Sequence, residues 1–274
     1  MTNKQTKGLN RNVIDKYYTK DTIVDLCLNL VKNNIKINNN DLIIEPSAGN
    51  GSFIKGIKTL SDNFKFFDLE PENVEIIKQD YLLYEHGKNI SSTHIIGNPP
   101  FGRQSSLAIK FIKKSCEFCD TISFILPKSF KKDSLKKTFP LNFHLLLEID
   151  LPEKSFLVNN IEHDVPCVFQ IWEKKSSKRE IKEKLDPINF IFVKKTEQPD
   201  ISFRRVGVNA GTIDTDISEK SIQSHYFIKF INKNYTKDII KKISEIKYEF
   251  NNTVGPKSIS KQELISKFNP ILKD

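Results

Sequence analysis

The residues with the clearest chemical potential are Asn98-Pro99-Pro100-Phe101, which follow a short apolar run at Ile95 and Ile96. An apolar run that breaks into such a segment is typical of a buried strand ending in a rigid loop. Prolines lack N–H donors, so this loop cannot continue the hydrogen-bond ladder of a sheet, and its carbonyl oxygens are left for other donors. The Asn98 side-chain oxygen and the Pro99 carbonyl could accept the two hydrogens of a planar amine, while Phe101 stacks on its ring. The alternative is an ordinary strand-to-helix turn, because Asn-Pro is a common turn opener.

A glycine turn some fifty residues upstream is the second candidate site. The apolar residues 42–44 run into Glu45-Pro46-Ser47-Ala48-Gly49-Asn50-Gly51, and a helix is predicted over 52–60. A strand, a glycine turn and a helix form the nucleotide-cradling unit of open α/β sheets. Gly49 and Gly51 would let the backbone pass close to a ligand. The Glu45 carboxylate would repel a pyrophosphate and favour a ligand with positive charge, such as an amino-acid ammonium beside a sulfonium.

Two aspartates follow the next predicted strands. Asp68 lies near the end of a strand over 64–69, where it could accept hydrogen bonds from both hydroxyls of a ribose. Asp80 follows a strand over 74–78 and could accept from the amine of an adenine edge, with Tyr81 or Leu82 covering the ring. For each aspartate alone, a surface or turn position is the alternative. The connection between these strands is too short for the usual crossover helix.

The elements that must position these residues alternate along the chain. Helical spacing of apolar residues begins after Asp21 and recurs over 104–118, and a basic helical stretch is predicted over 128–138. Strands are predicted over 121–127, 144–151 and 165–173, the last two joined by a linking segment. Alternation followed by two adjacent strands indicates a mainly parallel sheet with an antiparallel edge.

Composition restricts the class of protein. A chain of 274 residues with 38% hydrophobic content can bury one sizeable core and a smaller appendage. No apolar run approaches the roughly 18 residues that span a bilayer, and the first residues lack the apolar centre of a signal peptide, so an intracellular, cytoplasmic location is expected. The four cysteines are predicted to be thiols. For the lone Cys116 and Cys119 pair, core packing is favoured over a metal site, and no bound metal is predicted.

The basic excess is confined to one end. The net charge is +9, and residues 174–274 hold 21 Lys and Arg against 13 Asp and Glu, whereas residues 1–173 hold 22 against 21. Such an asymmetry favours a polyanionic partner, although a lysine-rich solvated surface is the alternative. We therefore predict a catalytic domain over 1–175 and a basic substrate-recognition extension over 176–274, with an amphipathic helix over 236–250. Arg204 and Arg205 are expected to contact the backbone or a base of a nucleic acid.

Two motifs carry a resemblance to a known family. Residues 45–53 and Asn98-Pro-Pro-Phe101 resemble the class I S-adenosylmethionine-dependent methyltransferases, specifically those that methylate the exocyclic N6 amine of adenine in nucleic acid. Tyr17-Tyr18-Thr19 resembles the family's additional N-terminal cofactor motif. The resemblance covers roughly residues 15–173. It implies a Rossmann-like methyltransferase fold with a mainly parallel seven-stranded sheet, helices on both faces and an antiparallel edge strand.

The same resemblance implies roles for individual residues. Asn98, Pro99, Pro100 and Phe101 would be catalytic, and Phe101 and Phe156 would contact the target base, with a core position as the alternative for Phe156. S-adenosylmethionine would be held by eleven residues: Tyr18, Thr19, Glu45, Pro46, Ala48, Gly49, Gly51, Asp68, Asp80, Tyr81 and Asn98.

Several alternatives for substrate and assembly stay open. DNA is favoured over RNA, but similar enzymes act on guanine amines of ribosomal RNA or on a glutamine side chain in protein. A recognition subunit of a two-chain methyltransferase is a non-enzymatic alternative, and a homo- or hetero-oligomer is possible. The family often carries a large C-terminal recognition domain, whereas only about 100 residues remain here.

Overall fold

The chain forms two compact units, Met1–Arg179 and Glu180–Asp274. The computed structural model describes residues 17–87, 92–181, 183–231, 237–250 and 256–273. The N-terminal residues used for the signal-peptide prediction, and the first residue of the helix predicted over 236–250, lie outside these ranges. None of the described helices has the length and apolar character needed to cross a bilayer.

The first unit is built on a seven-stranded sheet. The strands of this unit, in chain order, are β1 (Tyr18–Thr19), β2 (Leu42–Glu45), β3 (Asn63–Asp68), β4 (Ile77–Lys78), β5 (Thr93–Gly97), β6 (Thr121–Pro127), β7 (Phe143–Asp150), β8 (Phe156–Val158), β9 (Ile161–His163) and β10 (Cys167–Lys174). The large sheet has the order β4-β3-β2-β5-β6-β10-β7, and β1, β8 and β9 form a small separate sheet. The pairs from β4 to β6 are parallel, whereas β10 runs antiparallel to both β6 and β7. The antiparallel strand thus lies one position in from the edge.

Helices cover both faces of this sheet. They are α1 (Asp21–Asn34), α2 (Ile54–Ile57), α3 (Ser106–Cys116) and α4 (Asp133–Lys136). Buried residues of α1 and α2 pack in one apolar cluster, and those of α3 pack in a second cluster. The central strands β2, β5 and β6 are buried along their whole length, as continuous apolar runs require when both faces are covered. This architecture confirms the predicted fold class.

Several elements differ in extent from the sequence prediction. The third parallel strand, β4, has two residues, and the described connection between β3 and β4 contains no helix. The predicted basic helix is a 3-10 turn over Lys128–Lys131 followed by α4. The predicted linking segment contains the β8 and β9 hairpin. Lys20 is the N-cap of α1, and it makes no side-chain capping hydrogen bond.

Arg179 ties the last residues of the first unit to its body. Its guanidinium lies 5.3 Å from the ring centroid of Trp172. The same group donates hydrogen bonds of 2.7 to 3.0 Å to the carbonyl oxygens of Lys136, Phe139, Pro140 and Phe143. Four carbonyl partners satisfy most of the guanidinium donors, so Arg179 has a structural role in this unit.

The second unit combines an antiparallel sheet with two helices. Its elements are β11 (Phe190–Val193), β12 (Ile201–Arg204), β13 (Ile213–Asp214), β14 (His225–Phe230), α5 (Lys237–Ser244) and α6 (Lys261–Leu272). The sheet order is β11-β14-β12-β13. The predicted helix over 236–250 ends at Ser244, with Ile243 fully buried. The sequence prediction missed α6, which begins with a capping box between Ser260 and Glu263 and contains Pro270.

Candidate active site

The glycine turn and the Asn98 loop meet at one edge of the sheet. β2 and β5 are parallel neighbours, so their carboxyl ends lie side by side. Ser47 Oγ donates a hydrogen bond of 3.1 Å to the Asn98 carbonyl oxygen. A Cβ atom on Gly97 would lie 3.2 Å from Glu45 Cγ, so the Glu45 side chain packs directly against Gly97. Ligand clefts of open α/β sheets form at this end of the strands.

The Asn98 side chain presents an unused acceptor. Its Nδ2 donates a hydrogen bond of 3.3 Å to Thr19 Oγ1, which sets the orientation of the amide. Asn98 Oδ1 is buried and accepts no hydrogen bond. A buried acceptor without a partner destabilises the fold by about 1 to 3 kcal/mol, so it is retained only with a compensating role. Pro99 is buried beside it and Pro100 is exposed.

The ring of Phe101 lies at the junction of the two apolar clusters. It is half-buried and packs against both of them. Its carbonyl oxygen accepts from the N–H groups of Leu107 at 3.1 Å and Ala108 at 3.3 Å, which fastens the loop to the start of α3. Gln104 and Ser105 have left-handed φ angles of 53° and 63°. Strained backbone of this kind persists only where the surroundings enforce it, and it clusters at functional sites.

Glu45 is the most perturbed carboxyl group of the site. The side chain is 2% exposed, and Oε2 is buried without a hydrogen-bond partner. Burial, and secondarily the negative charge of Asp68, raise its pKa to about 8. Glu45 therefore holds a proton at neutral pH until a cation comes next to it. A ligand ammonium would supply both the missing donor and the missing charge.

Backbone hydrogen bonds join the glycine turn to β3. Gly49 N–H donates to Asp68 Oδ2 at 2.8 Å, and Ala48 N–H donates to the Phe67 carbonyl at 2.8 Å. Gly49 and Gly51 have φ angles of +53° and +88°, which only glycine adopts at little cost. The other oxygen of Asp68 accepts from Glu70 N–H at 2.8 Å. Each carboxylate oxygen can accept more than one bond, so Asp68 can still receive ligand hydroxyls.

The N-terminal motif closes one side of the turn. β1 pairs antiparallel with β8, so that Tyr18 faces Leu157 and Thr19 faces Phe156 in the register. The Tyr18 hydroxyl donates to Glu72 Oε1 at 2.6 Å, and its ring edge lies near Gly49. The structure thereby brings Tyr18 and Thr19, separated by many residues from the other motifs, to the glycine turn and to Asn98.

Two residues predicted at the site are placed in the core instead. Tyr81 is 1% exposed and packs in the cluster that contains α3, and its hydroxyl shares a hydrogen bond of 2.8 Å with Ser115 Oγ. Phe156 is also 1% exposed and packs in the other cluster, which corresponds to its alternative interpretation. Neither ring is available to a ligand in this structure.

Asp80 lies on the same rim as Asp68. Gln79 N–H donates to the Asp68 carbonyl at 3.0 Å, which places the end of β4 beside the end of β3. Asp80 Oδ1 caps the following turn by accepting from Leu82 N–H at 2.9 Å. The half-buried Asp80 carboxylate keeps its second oxygen for other donors.

Two residues of the site were missed by the sequence reasoning. Ser47 holds the two loops together, and its place between Pro46 and Ala48 in the turn was the available signal. Leu69 follows Asp68 and is 63% exposed, although large apolar side chains are mostly buried. A carboxylate beside an exposed apolar side chain suits a ligand that carries both hydroxyls and a planar ring.

The two arginines of the second unit have different surroundings. Arg204 lines a polar cleft of about 340 Å³. Arg205 donates to the Gln223 carbonyl at 3.2 Å and lies 5.3 Å from the ring centroid of Tyr226. The sequence pattern treated them as one pair, but only Arg204 is among the residues that line the cleft.

The cysteines are free thiols and occupy apolar positions. Cys119 is fully buried, and Cys116 packs against the same cluster. Desolvation raises the pKa of Cys116 to about 12, so this thiol is protonated at neutral pH. Within the described ranges, no three His, Cys, Asp or Glu side chains come together in a way that could hold a metal ion.

Comparisons with known proteins give a structural likeness only. No family model matches the chain, and no curated protein sequence matches it. A candidate RNA methyltransferase from Pyrococcus horikoshii has a TM-score of 0.48 and 15% identity, over 62% of this chain and 92% of its own. The 23S rRNA methyltransferase ErmE has a TM-score of 0.45 and 11% identity, over 59% of this chain and 71% of its own. A dimethyladenosine transferase from Plasmodium falciparum has a TM-score of 0.42 and 15% identity, over 58% and 64%. Such identities do not transfer an activity, so the residues of the site must decide it.

Proposed function

We propose that this protein transfers a methyl group from S-adenosylmethionine to the N6 amine of adenine in a nucleic acid. One observation carries the proposal: two buried acceptors without partners, Glu45 Oε2 and Asn98 Oδ1, lie at the ends of the adjacent strands β2 and β5, where a Ser47 hydrogen bond joins the two loops. One acceptor suits a cationic ligand and the other suits an amine. A methyl donor with an ammonium group and an acceptor base with an exocyclic amine require this combination.

The residues of the glycine turn fit the proposed cofactor. Glu45 would hold its ammonium, which lowers the raised carboxyl pKa and satisfies Oε2. Asp68 would accept from the ribose hydroxyls, Leu69 would pack on the adenine ring, and Asp80 would accept from the adenine amine. Tyr18 and Thr19 would cover the methionine end. The sulfonium supplies an activated methyl group when the cofactor is bound.

The Asn98 loop would prepare the amine. Asn98 Oδ1 and the Pro99 carbonyl would accept its two hydrogens and so keep the nitrogen lone pair free for the methyl group. Thr19 supports this by engaging Asn98 Nδ2, which leaves the oxygen directed away from that contact. As positive charge grows on the nitrogen, both hydrogen bonds strengthen, which stabilises the transition state more than the ground state. After the methyl group is transferred, the positively charged nitrogen loses one of its two hydrogen-bonded protons to solvent.

Phe101 would stack on the target base. A base paired in a duplex cannot reach such a loop, so the target must be flipped out or single-stranded. The basic excess of residues 174–274 supports a nucleic acid over a protein glutamine side chain as the substrate. The resemblance of the two motifs favours DNA over RNA as the substrate.

The test is transfer of a labelled methyl group from S-adenosylmethionine to DNA, single-stranded RNA or protein, followed by digestion to single nucleosides and amino acids. We expect the label in N6-methyladenine. Label in guanine or in glutamine would replace the proposal with one of the alternatives, and no transfer to any acceptor would refute it. The Asn98→Ala variant, assayed in parallel, identifies transfer by a contaminating enzyme.

A further inference from the structure

The second unit contains a cleft that the proposed methyl transfer does not use. It has a volume of about 340 Å³ and is lined by charged groups, hydroxyl groups, an amide and one apolar side chain, Ile213. No aromatic ring other than the His225 imidazole lines it, so the cleft lacks a stacking platform for a base. A ligand that fills it must be polar over most of its surface, as the sugar-phosphate part of a nucleic acid is.

Arg204 supplies hydrogen-bond donors for an anionic group. Its Nε donates to the Val206 carbonyl at 3.1 Å, which anchors the side chain at the cleft wall. The other four N–H donors of the guanidinium have no hydrogen bond within the described residues. An anchored guanidinium with two free amino groups matches two oxygens of a phosphate. Lys220 also lines the cleft, but its charge is paired with Asp214.

His225 supplies an acceptor rather than a donor. The residue is 8% exposed, and its Nδ1 lies 3.1 Å from the Ser221 carbonyl oxygen. A carbonyl can only accept, so we assign the proton to Nδ1, with the Ser224 hydroxyl at 3.0 Å as a second acceptor, and the lone pair to Nε2. Desolvation, and secondarily the charges of Arg204 and Lys220, lower the pKa of His225, which keeps the ring neutral at pH 7. Nε2 therefore needs a ligand that brings a donor.

The combination of donors and acceptors distinguishes between nucleic acids. The carboxylate of Glu219 lines the same cleft and, like His225 Nε2, can only accept, whereas Asp214 is already paired with Lys220. A DNA backbone offers acceptors alone, since its phosphates and deoxyribose have no hydrogen-bond donor. An RNA backbone adds the 2′-hydroxyl, which donates as well as accepts.

We infer that the cleft formed by Arg204 and His225 binds one ribonucleotide unit of an RNA strand, with the phosphate on Arg204 and the 2′-hydroxyl on His225. The inference rests on the proposed function only in taking the substrate as a nucleic acid, and it selects RNA where the motif resemblance favoured DNA.

The test uses the full chain and two fluorescent single strands of the same sequence, one RNA and one DNA, with binding measured by anisotropy over a range of salt concentrations. The unmodified protein should bind RNA more tightly than DNA. Arg204→Gln should weaken the binding of both strands about tenfold and reduce the slope of log K against log salt by about one, because one phosphate contact is lost. His225→Phe should weaken RNA binding only and abolish the preference.

Matched variants separate the cleft from general charge. Lys267→Gln removes one positive charge from the exposed face of α6, and Arg205→Gln removes the neighbouring arginine that does not line the cleft. Both should weaken RNA binding several times less than Arg204→Gln.

Equal affinity of the unmodified protein for RNA and DNA would overturn the role of the 2′-hydroxyl, without depending on how any variant folds. Equal losses in the Arg204, Arg205 and Lys267 variants would overturn the assignment of the cleft. Neither result concerns methyl transfer, which the nucleoside digest tests separately.

Discussion

The two polar sites of this protein are built on opposite principles. At the carboxyl edge of the large sheet, Glu45 Oε2 and Asn98 Oδ1 are buried acceptor atoms without a hydrogen-bond partner. In the cleft of the second unit, Arg204 and Lys220 are only half-buried, and His225 is the buried member. Buried acceptors act through precise geometry in a medium of low dielectric constant. Their hydrogen bonds are therefore little affected by salt, but they are lost when the acceptor is displaced. Partly exposed cations act through charge, so they tolerate displacement and respond to salt.

The largest expected effect is at Asn98. Asn98→Ala should lower kcat at least about a thousandfold, because it removes an acceptor whose hydrogen bond strengthens in the transition state. The dissociation constant of S-adenosylmethionine should change little. Asn34→Ala, on the exposed end of α1, is the matched control and should retain full activity. Comparable kcat values for the Asn98 variant and the control would remove Asn98 from catalysis.

Glu45 should show a large effect on cofactor binding that depends on pH. Because the free carboxyl has a pKa of about 8, ammonium binding below pH 8 must release a proton, and affinity should fall as the pH falls. Glu45→Gln should weaken binding about a hundredfold at pH 8 and remove this acidic limb. Calorimetric titration in two buffers with different ionisation enthalpies measures the released proton. Binding without proton release below pH 8 would contradict the assigned role.

The same substitution should stabilise the protein without cofactor. Folded Glu45 binds its proton more tightly than the unfolded chain does, whose pKa is near 4.5, so the unfolding free energy falls as the pH rises from about 4.5 to about 8. Glu45→Gln removes that loss and should raise the unfolding free energy by a few kcal/mol at pH 8, with little change at pH 4.5. Denaturant unfolding at both pH values checks this. Equal gains at both would point to packing rather than charge.

Thr19 should have an intermediate effect through Asn98. Thr19→Val keeps the shape but loses the acceptor for Asn98 Nδ2, so the amide orientation is released and kcat should fall about tenfold. Thr19→Ser restores the hydroxyl and should restore most of the activity. The pair of variants distinguishes a positioning hydrogen bond from simple packing, since a packing role would favour valine over serine.

The smallest expected effect tests the independence of the two sites. Arg204→Gln should leave the dissociation constant of S-adenosylmethionine within about twofold, and Asn98→Ala should leave the salt slope of RNA binding unchanged, because each site is proposed to bind a different group. Calorimetry and anisotropy titrations of both variants measure this. A change of salt slope in the Asn98 variant would mean that the catalytic loop itself carries phosphate contacts.

Residues at the ends of predicted strands were placed well from the sequence. Glu45 and Asn98 each follow a short apolar run, and parallel strands bring their carboxyl ends to one edge, so the meeting of the two loops follows from local pattern and topology. Gly49 and Gly51 were predictable for a similar reason, because the sequence pattern of a turn already requires positive φ.

Side chains whose direction depends on distant partners were not placed by pattern. Tyr81 follows an aspartate at a strand end, yet its hydroxyl reaches Ser115 on α3 and its ring joins the core. Phe156 is held by strand pairing with Thr19, a residue near the opposite end of the first unit's sequence. Arg204 and Arg205 are adjacent and chemically identical, but one lines a cleft and the other lies over Tyr226.

The sequence by itself determined the strand ends, the glycine turn and the acceptor loop, because each depends on residues within a few positions of one another. Only the tertiary structure decided which acceptors stay without a partner, which rings enter the core and which arginine faces a cleft. Those outcomes depend on contacts between residues far apart in the chain, where packing and desolvation, rather than local preference, set the free energy.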